Sequence, residues 1–185
     1  MFQIRRSTFE TNSSSTHAVC ISAVLDDSQG SLQYHKNIGE IDFELGKFCW
    51  DFRDLDMLDS KASYLYTTAV MLAKSEHESN QKYCLENIKD VWRDWFAKLG
   101  ITAVFEEPDT KQIEYSDGYK MDDFYIDHQG LMPKFLDLMI TCEDSFLRYL
   151  FNFDSFVLMG HDNTCRFKVK IDVDYKHQAF YSVED

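Results

Sequence analysis

A chain of 185 residues with 44% hydrophobic and 15% aromatic residues can bury a substantial core as one domain, which excludes a disordered or low-complexity protein. Its 32 acidic residues outnumber its 19 basic ones, and with a formal charge of −13 we expect neither direct nucleic-acid binding nor attachment to an anionic membrane. No apolar run is long enough to span a bilayer, and the 5 cysteines are dispersed without a CxxC pair, so we expect a cytoplasmic protein with free thiols.

The first predicted element is a β-hairpin. "FQIRRSTFE" and "THAVCIS" have the alternation of short strands, and the "TNSS" between them is rich in turn-forming residues. The next apolar stretch, "IDFELGKFCWDF", predicts either a second strand pair or a strand that bends around Gly46.

Two helices are predicted in the middle of the chain. The first begins near Asp59 or Ser60, either of which is a suitable N-cap. It places Leu65, Ala69 and Leu72 on one face. The second covers about residues 80–99 and ends at Gly100. Its apolar face is predicted to contain Cys84, Ile88, Val91, Trp95 and Leu99, widened by Leu85, Trp92 and Phe96.

The second half of the chain mixes strands with short helices. "ITAVFEE" predicts a strand closed by Pro108, and "IEYSDGYKMDDFYID" predicts a hairpin that turns at its Asp-Gly pair. Pro133 is expected at the first position of a helix. Thr141 and Asp144 have the spacing of a capping box at the start of a second short helix. "SFVLMG" predicts a buried strand and "RFKVKIDVDY" a strand with one face in water. Residues 1–185 are therefore predicted to form a single α+β domain, a mostly antiparallel sheet packed against three to four helices.

The N-terminal "RRSTFETNSSSTH" is the first candidate site. A serine near a histidine can act as a nucleophile with its base, and hydroxyls, amides and arginines suit phosphate oxygens. The candidate catalytic residues are Glu10, Ser13, Ser15, His17, His128 and Asp162, and the candidate phosphate-binding residues are Arg6, Asn12 and Ser14. The simpler interpretation, which we favour, is a polar turn, because the segment has neither a GxSxG nucleophile elbow nor a glycine-rich phosphate loop.

Two further polar segments, "DHQG" and "GHDN", contain histidines that could join His17. Together with Asp127 and Asp162, His128 and His161 would suit metal binding or acid–base chemistry if the fold brought them together. Their spacing contains no HExxH motif and no histidine pair one helical turn apart. We therefore expect no metal site and no cofactor.

The acidic residues are concentrated in two stretches. From Glu40 to Asp59 there are seven acids against two bases, and from Glu106 to Asp127 eight acids against two bases. Carboxylates arranged along strands can imitate phosphates and occupy the nucleic-acid groove of another protein, whereas the alternative is an ordinary solvated surface. The predicted partner-binding residues, with Tyr119 and Phe124 as aromatic anchors, are Glu106, Glu107, Tyr119, Asp122, Asp123, Phe124 and Asp127.

Four segments resemble a family of bacteriophage and Gram-positive bacterial proteins with an N-terminal FETNSSSTH motif. The segments are "RRSTFETNSSSTH", "GKFCWDFRDLDMLDSKASYLYT", "YIDHQG" and "FLRYLFNFDSFVLMGHDN". Gly130 and His161 depart from the family pattern, which has a polar residue at the first position and asparagine at the second. The resemblance implies a small accessory protein of a phage or prophage, of a kind that often acts against host restriction or CRISPR defences.

These observations favour a non-enzymatic protein that inhibits a host defence protein. The expected partner is a nuclease or another nucleic-acid-binding protein in the host cytoplasm, bound through the acidic, aromatic surface, as in anti-CRISPR or anti-restriction proteins. The alternative is a nucleotide- or phosphate-binding enzyme for phosphoryl or nucleotidyl chemistry, centred on Arg6 to His17. A third interpretation makes the N-terminal motif a structural latch in a virion or assembly factor.

Overall fold

A computed structural model of the chain describes residues 15–22, 38–48, 53–75, 84–108, 112–114, 120–126, 133–161 and 177–181. The strands predicted for "FQIRRSTFE" and "RFKVKIDVDY" lie outside these residues. None of the described helices is both long enough and apolar enough to cross a membrane.

The described residues form ten strands and four helices, which confirms the α+β fold class. The strands are β1 (Ser15–Ser22), β2 (Glu40–Phe43), β3 (Lys47–Phe48), β4 (Arg53–Leu55), β5 (Thr102–Phe105), β6 (Gln112–Glu114), β7 (Lys120–Asp122), β8 (Tyr125–Ile126), β9 (Phe156–His161) and β10 (His177–Tyr181). The helices are α1 (Leu58–Ser75), α2 (Leu85–Lys98), α3 (Pro133–Thr141) and α4 (Glu143–Phe151).

The largest sheet is antiparallel and has the strand order β10-β1-β9-β4. β1 lies in its interior, with Val19 opposite Phe180 of β10 and Val157 of β9. β6 and β7 form the predicted hairpin, with Ile113 opposite Met121. β2 pairs with β5 and β3 with β8, both in parallel, which the sequence did not indicate because residue alternation does not specify a strand's partner.

The segment around Gly46 is a bend between two strands of different sheets, so the predicted strand pair is wrong and the bent strand is the better description. The bend lies against α1, where the Gly46 N–H donates to the Thr67 hydroxyl at 3.0 Å. A Cβ atom at Gly46 would lie 2.7 Å from the Phe48 ring and 2.9 Å from the Ser63 hydroxyl oxygen. Glycine is therefore required here by close packing.

Helix α1 lies at the centre of the fold and packs against β2, β8 and the other three helices. It begins at Leu58, slightly before the predicted N-caps, and the Ser60 hydroxyl donates to the Met57 carbonyl at 2.9 Å. The predicted face of Leu65, Ala69 and Leu72 is buried. The helix and its face are therefore confirmed.

Helix α2 is confirmed, but its buried face is rotated from the predicted one. The buried residues are Ile88, Lys89, Trp92 and Phe96, whereas Cys84 and Leu99 at the ends of the predicted stripe are exposed. The aromatic residues determine this orientation, since the Trp92 ring stacks on Phe43 and Phe146. Its indole N–H also donates to the Met139 carbonyl at 2.9 Å. Gly100 follows the helix with φ 74°, as the predicted stop requires.

Helices α3 and α4 follow one another closely, and Pro133 begins α3 as predicted. The predicted capping box is wrong. The N-cap of α4 is Cys142, whose side chain makes no capping hydrogen bond. Thr141 belongs to the last turn of α3, where its hydroxyl donates to the Asp137 carbonyl at 2.6 Å. The buried strand predicted from "SFVLMG" is confirmed as β9.

Candidate functional site

His17, the last residue of the N-terminal motif, lies in the protein core. The alternation of β1 places His17 on the same face as Val19 and Ile21, and its side chain is 0% exposed. Its Nδ1 atom lies 3.1 Å from the Tyr64 hydroxyl oxygen. Burial raises the pKa of Tyr64 far above its ordinary value, so this hydroxyl stays neutral. A substrate cannot reach the imidazole in this arrangement, and a structural role for His17 fits the geometry better than catalysis.

A buried lysine lies in the same part of the core, on the helix that carries Tyr64. The Lys61 ammonium donates to the carbonyl oxygens of Asn152 at 2.8 Å and Ser155 at 3.1 Å, and the Tyr149 hydroxyl donates to the Lys61 carbonyl at 3.0 Å. Burial lowers the pKa of Lys61 to about 8, although the Asp56 carboxylate raises it in part. The ammonium therefore fastens α1 to the turn between α4 and β9 by satisfying carbonyls at a helix C-terminus.

The other candidate catalytic and phosphate-binding residues, Ser15 excepted, lie outside the described part of the chain. They are Arg6, Glu10, Asn12, Ser13, Ser14, His128 and Asp162. Ser15 begins β1, where its Cα is paired with that of His161 in β9. The N-terminal motif and the segment "GHDN" are thus neighbours at one end of the main sheet. Within the described residues, no group of three or more His, Cys, Asp or Glu side chains could hold a metal ion.

A row of carboxylates lies on the exposed side of the β2–β5 pair. Ile41 and Phe43 point into the core, whereas Glu40, Asp42 and Glu44 are exposed. Alternate residues of a strand are about 6.6 Å apart, the spacing expected for Glu40 and Asp42 along β2, and Glu44 follows directly after the strand ends at Phe43. None of them makes an ion pair with another described residue. We call Glu40, Asp42 and Glu44 the β2 acidic row.

Glu106 extends the acidic surface at the end of β5. Its carboxylate accepts the Leu45 N–H at 2.6 Å, and its carbonyl accepts the Tyr66 hydroxyl at 2.6 Å. Val104 of β5, which is the Cα partner of Asp42 across the pair, is 41% exposed. Glu106 is therefore both exposed and structural, because its hydrogen bonds hold Leu45, which follows β2, and Tyr66 of α1 next to the end of β5.

Glu107 is exposed and paired with a buried lysine. Its Oε1 atom lies 3.2 Å from Lys89 Nζ, which is also 3.0 Å from Glu86 Oε1. Burial acts to lower the pKa of Lys89, but the hydrogen bonds that its ammonium donates to Glu86 and Glu107 outweigh burial and the pKa is raised. Lys89 therefore stays charged and neutralises part of this acidic surface.

The remaining predicted partner-binding residues are only partly suitable. Asp123 is exposed and pairs with Lys47, and Asp122 lies in β7 opposite Gln112. Phe124 is 5% exposed, with the Lys74 ammonium 4.4 Å from its ring centroid, so the prediction that it is a surface anchor is wrong. Phe124 lies two residues before Ile126 of β8, and in extended chain such residues lie on the same side, which here faces the core. Tyr119 and Asp127 lie outside the described residues.

The β2 acidic row was missed as a site, although its signal is visible in the sequence. "EIDFE" alternates acidic and apolar residues, which predicts a strand with one acidic face. The emphasis on the later stretch came from its larger number of acids, of which Glu107 and Asp123 pair with lysines. Regular alternation was the better indicator of a continuous charged face.

The fold and its surface define an acidic α+β protein with a carboxylate row on an exposed strand pair. No family model, no curated protein and no solved structure matches the chain. Its function has to be inferred from its own geometry.

Proposed function

We propose that the protein is a phage or prophage accessory protein that binds and inhibits a host nucleic-acid-handling defence protein, of the anti-CRISPR or anti-restriction type. It acts in the host cytoplasm by occupying a basic, nucleic-acid-binding groove. The observation that carries the proposal is the β2 acidic row, Glu40, Asp42 and Glu44, on the exposed side of a strand pair.

The β2 acidic row has the properties of a phosphate mimic. Glu40 and Asp42 are alternate residues of β2, about 6.6 Å apart along a backbone that hydrogen bonds to β5 hold in place, and Glu44 follows at the end of the strand. A groove that binds nucleic acid presents lysines and arginines to a line of regularly spaced negative charges. A row on a strand loses little conformational freedom on binding, so more of its electrostatic attraction appears as affinity.

The surroundings of the row support the same kind of partner. Glu106 and Glu107 continue the negative surface at the end of β5, and Val104 supplies an apolar contact beside Asp42. The formal charge of −13 attracts a basic partner over a longer range and raises the association rate at low salt. We do not propose the enzymatic alternative, since His17 is buried in the core.

The proposal is tested by comparing two charge-reversed variants that have the same net charge. The first changes the row, Asp42→Lys with Glu44→Lys, and the second changes exposed acids of α2, Asp90→Lys with Asp94→Lys. We expect the row variant to bind its host partner at least about tenfold more weakly, whereas the α2 variant binds almost as the wild type does. The assays are pull-down from host lysate and protection of phage or plasmid DNA in cells with an active defence system. If the two variants lose binding of the host partner equally, or both keep it, the proposal is contradicted.

A further inference from the structure

Two large apolar side chains are exposed at one corner of the fold. Met57, between β4 and α1, is 67% exposed, and Phe153, between α4 and β9, is 59% exposed. β4 and β9 are antiparallel and remain paired up to Leu55 and Val157. The chain leaving β4 and the chain entering β9 are therefore neighbours, which places Met57 and Phe153 in the same corner. We call these two residues the Met57–Phe153 corner.

The backbone of this corner is held in place from both sides. The Lys61 N–H donates to the Met57 carbonyl at 3.0 Å, and the Lys61 ammonium donates to Asn152 and Ser155, which flank the segment containing Phe153. The Ser155 N–H also donates to the Asn152 carbonyl at 3.1 Å. A fixed backbone presents exposed side chains without a large entropic cost on binding. The two apolar groups are therefore well placed as contacts for another molecule.

Negative charges surround the corner. Asp56 and Asp59 are exposed on either side of Met57, and Asp154 is exposed next to Phe153. Within residues 56–61 and 152–155, the one positively charged residue is Lys61, whose ammonium is buried and directed at backbone carbonyls. A second copy of the chain would bring its own carboxylates against these, so charge disfavours self-association here. A basic partner has the complementary charge.

We propose that the Met57–Phe153 corner docks a segment of a partner protein in which apolar side chains lie between lysine or arginine residues. Methionine and aromatic side chains are enriched in protein interfaces, where they bury a large apolar area, and the flexible methionine side chain adapts to the shape of its partner. The carboxylates of Asp56 and Asp59 then face the basic residues of the segment and select it against acidic competitors. This surface goes beyond the proposed function, since it includes no residue of the β2 acidic row.

The test uses the full-length protein with ¹³C in its methionine methyl groups, with Met57→Leu to assign the Met57 signal. The probe is a synthetic peptide of two leucines flanked on each side by two lysines, titrated at about 0.15 M salt to screen distant charges. Two comparison peptides carry glycines in place of the leucines or glutamates in place of the lysines. We expect the probe to shift the Met57 methyl signal saturably, and each comparison peptide to bind at least about tenfold more weakly.

Variants at exposed positions locate the contact. Phe153→Ser should weaken binding of the probe peptide by about tenfold. The matched control Leu99→Ser changes an exposed leucine at the end of α2 and should leave binding of the peptide unchanged. Both substitutions are at exposed sites and should leave the thermal midpoint nearly unchanged. Equal binding of the lysine–glycine peptide, or wild-type binding by Phe153→Ser, overturns the proposal. The variant Asp42→Lys with Glu44→Lys should bind the probe peptide, as read from the Met57 methyl signal, within about twofold of the wild type. The peptide titration therefore tests the Met57–Phe153 corner independently of the β2 acidic row.

Discussion

Replacing Lys61 with methionine should change how the stability of the protein depends on pH. The Lys61 side chain is buried, and burial lowers its folded-state pKa from 10.5 to about 8, with the Asp56 carboxylate offsetting part of that shift. In the unfolded chain the lysine keeps its proton up to pH values near 10.5. Between these two values the unfolded state binds more protons than the folded state, so the Lys61 contribution to stability rises with pH.

The magnitude follows from the two pKa values. Integrating the difference in bound protons from pH 7 to pH 9.5 gives a rise of about 2 kcal/mol in the free energy of unfolding. Methionine has a similar length and does not titrate, so Lys61→Met lacks this increment. The difference in unfolding free energy between the wild type and the variant should therefore shift by about 2 kcal/mol in favour of the wild type over this interval. Titrating cysteines and tyrosines are common to both proteins, and their effects cancel in the difference.

Urea unfolding followed by tryptophan fluorescence, in steps of pH from 7 to 9.5, measures this difference. The matched control is Lys74→Met, which changes an exposed lysine near the end of the same helix. This control removes one positive charge from the same helix without disturbing the carbonyls of Asn152 and Ser155, so it separates a general effect of net charge from the effect of the Lys61 site. A pH-independent difference between the wild type and Lys61→Met would refute the reasoning, because it would mean that burial does not perturb the Lys61 ammonium.

Three further predictions concern the core. Tyr64→Phe removes the hydroxyl next to His17 Nδ1 and should lower the free energy of unfolding by roughly 1–3 kcal/mol in urea titrations; an unchanged midpoint would show that the contact contributes nothing. Gly46→Ala places a Cβ 2.7 Å from the buried Phe48 ring and should lower the thermal midpoint, at a cost of about 1–3 kcal/mol, and an equal or higher midpoint would contradict that packing. Phe124→Ala should cost about 3 kcal/mol of stability without weakening partner binding in proportion; a stable variant with lost binding would restore Phe124 as an anchor.

Local sequence signals were sufficient for most elements. Pro133 begins α3 because its fixed φ and missing N–H suit the first helical position, and Gly100 ends α2 because it adopts a positive φ. The Asp-Gly pair between Ile113 and Met121 predicted the β6–β7 hairpin. These features depend on residues close together in the chain, so the sequence alone contains the necessary information.

Predictions failed where several side chains competed for the same core. The predicted apolar face of α2 contained both Val91 and Trp92, and the stacking of Trp92 between Phe43 and Phe146 decided that Trp92 is the one fully buried. Phe124 follows two acidic residues, Asp122 and Asp123, a context that predicts an exposed side chain, yet it is buried. Burial of one aromatic ring depends on the volume left by all the others, and a local pattern does not specify that volume.

The amino-acid sequence by itself determined the charge of the protein, its α+β class and the acidic face of "EIDFE", because composition and alternation are local properties. Only the tertiary structure decided that β2 pairs in parallel with β5, and that His17 is enclosed beside Tyr64. It also brought Met57 and Phe153 to one corner through the pairing of β4 with β9. The physical reason is the same in each case: hydrogen bonds and packing between distant segments depend on the free energy of the whole core, which no single stretch of sequence contains.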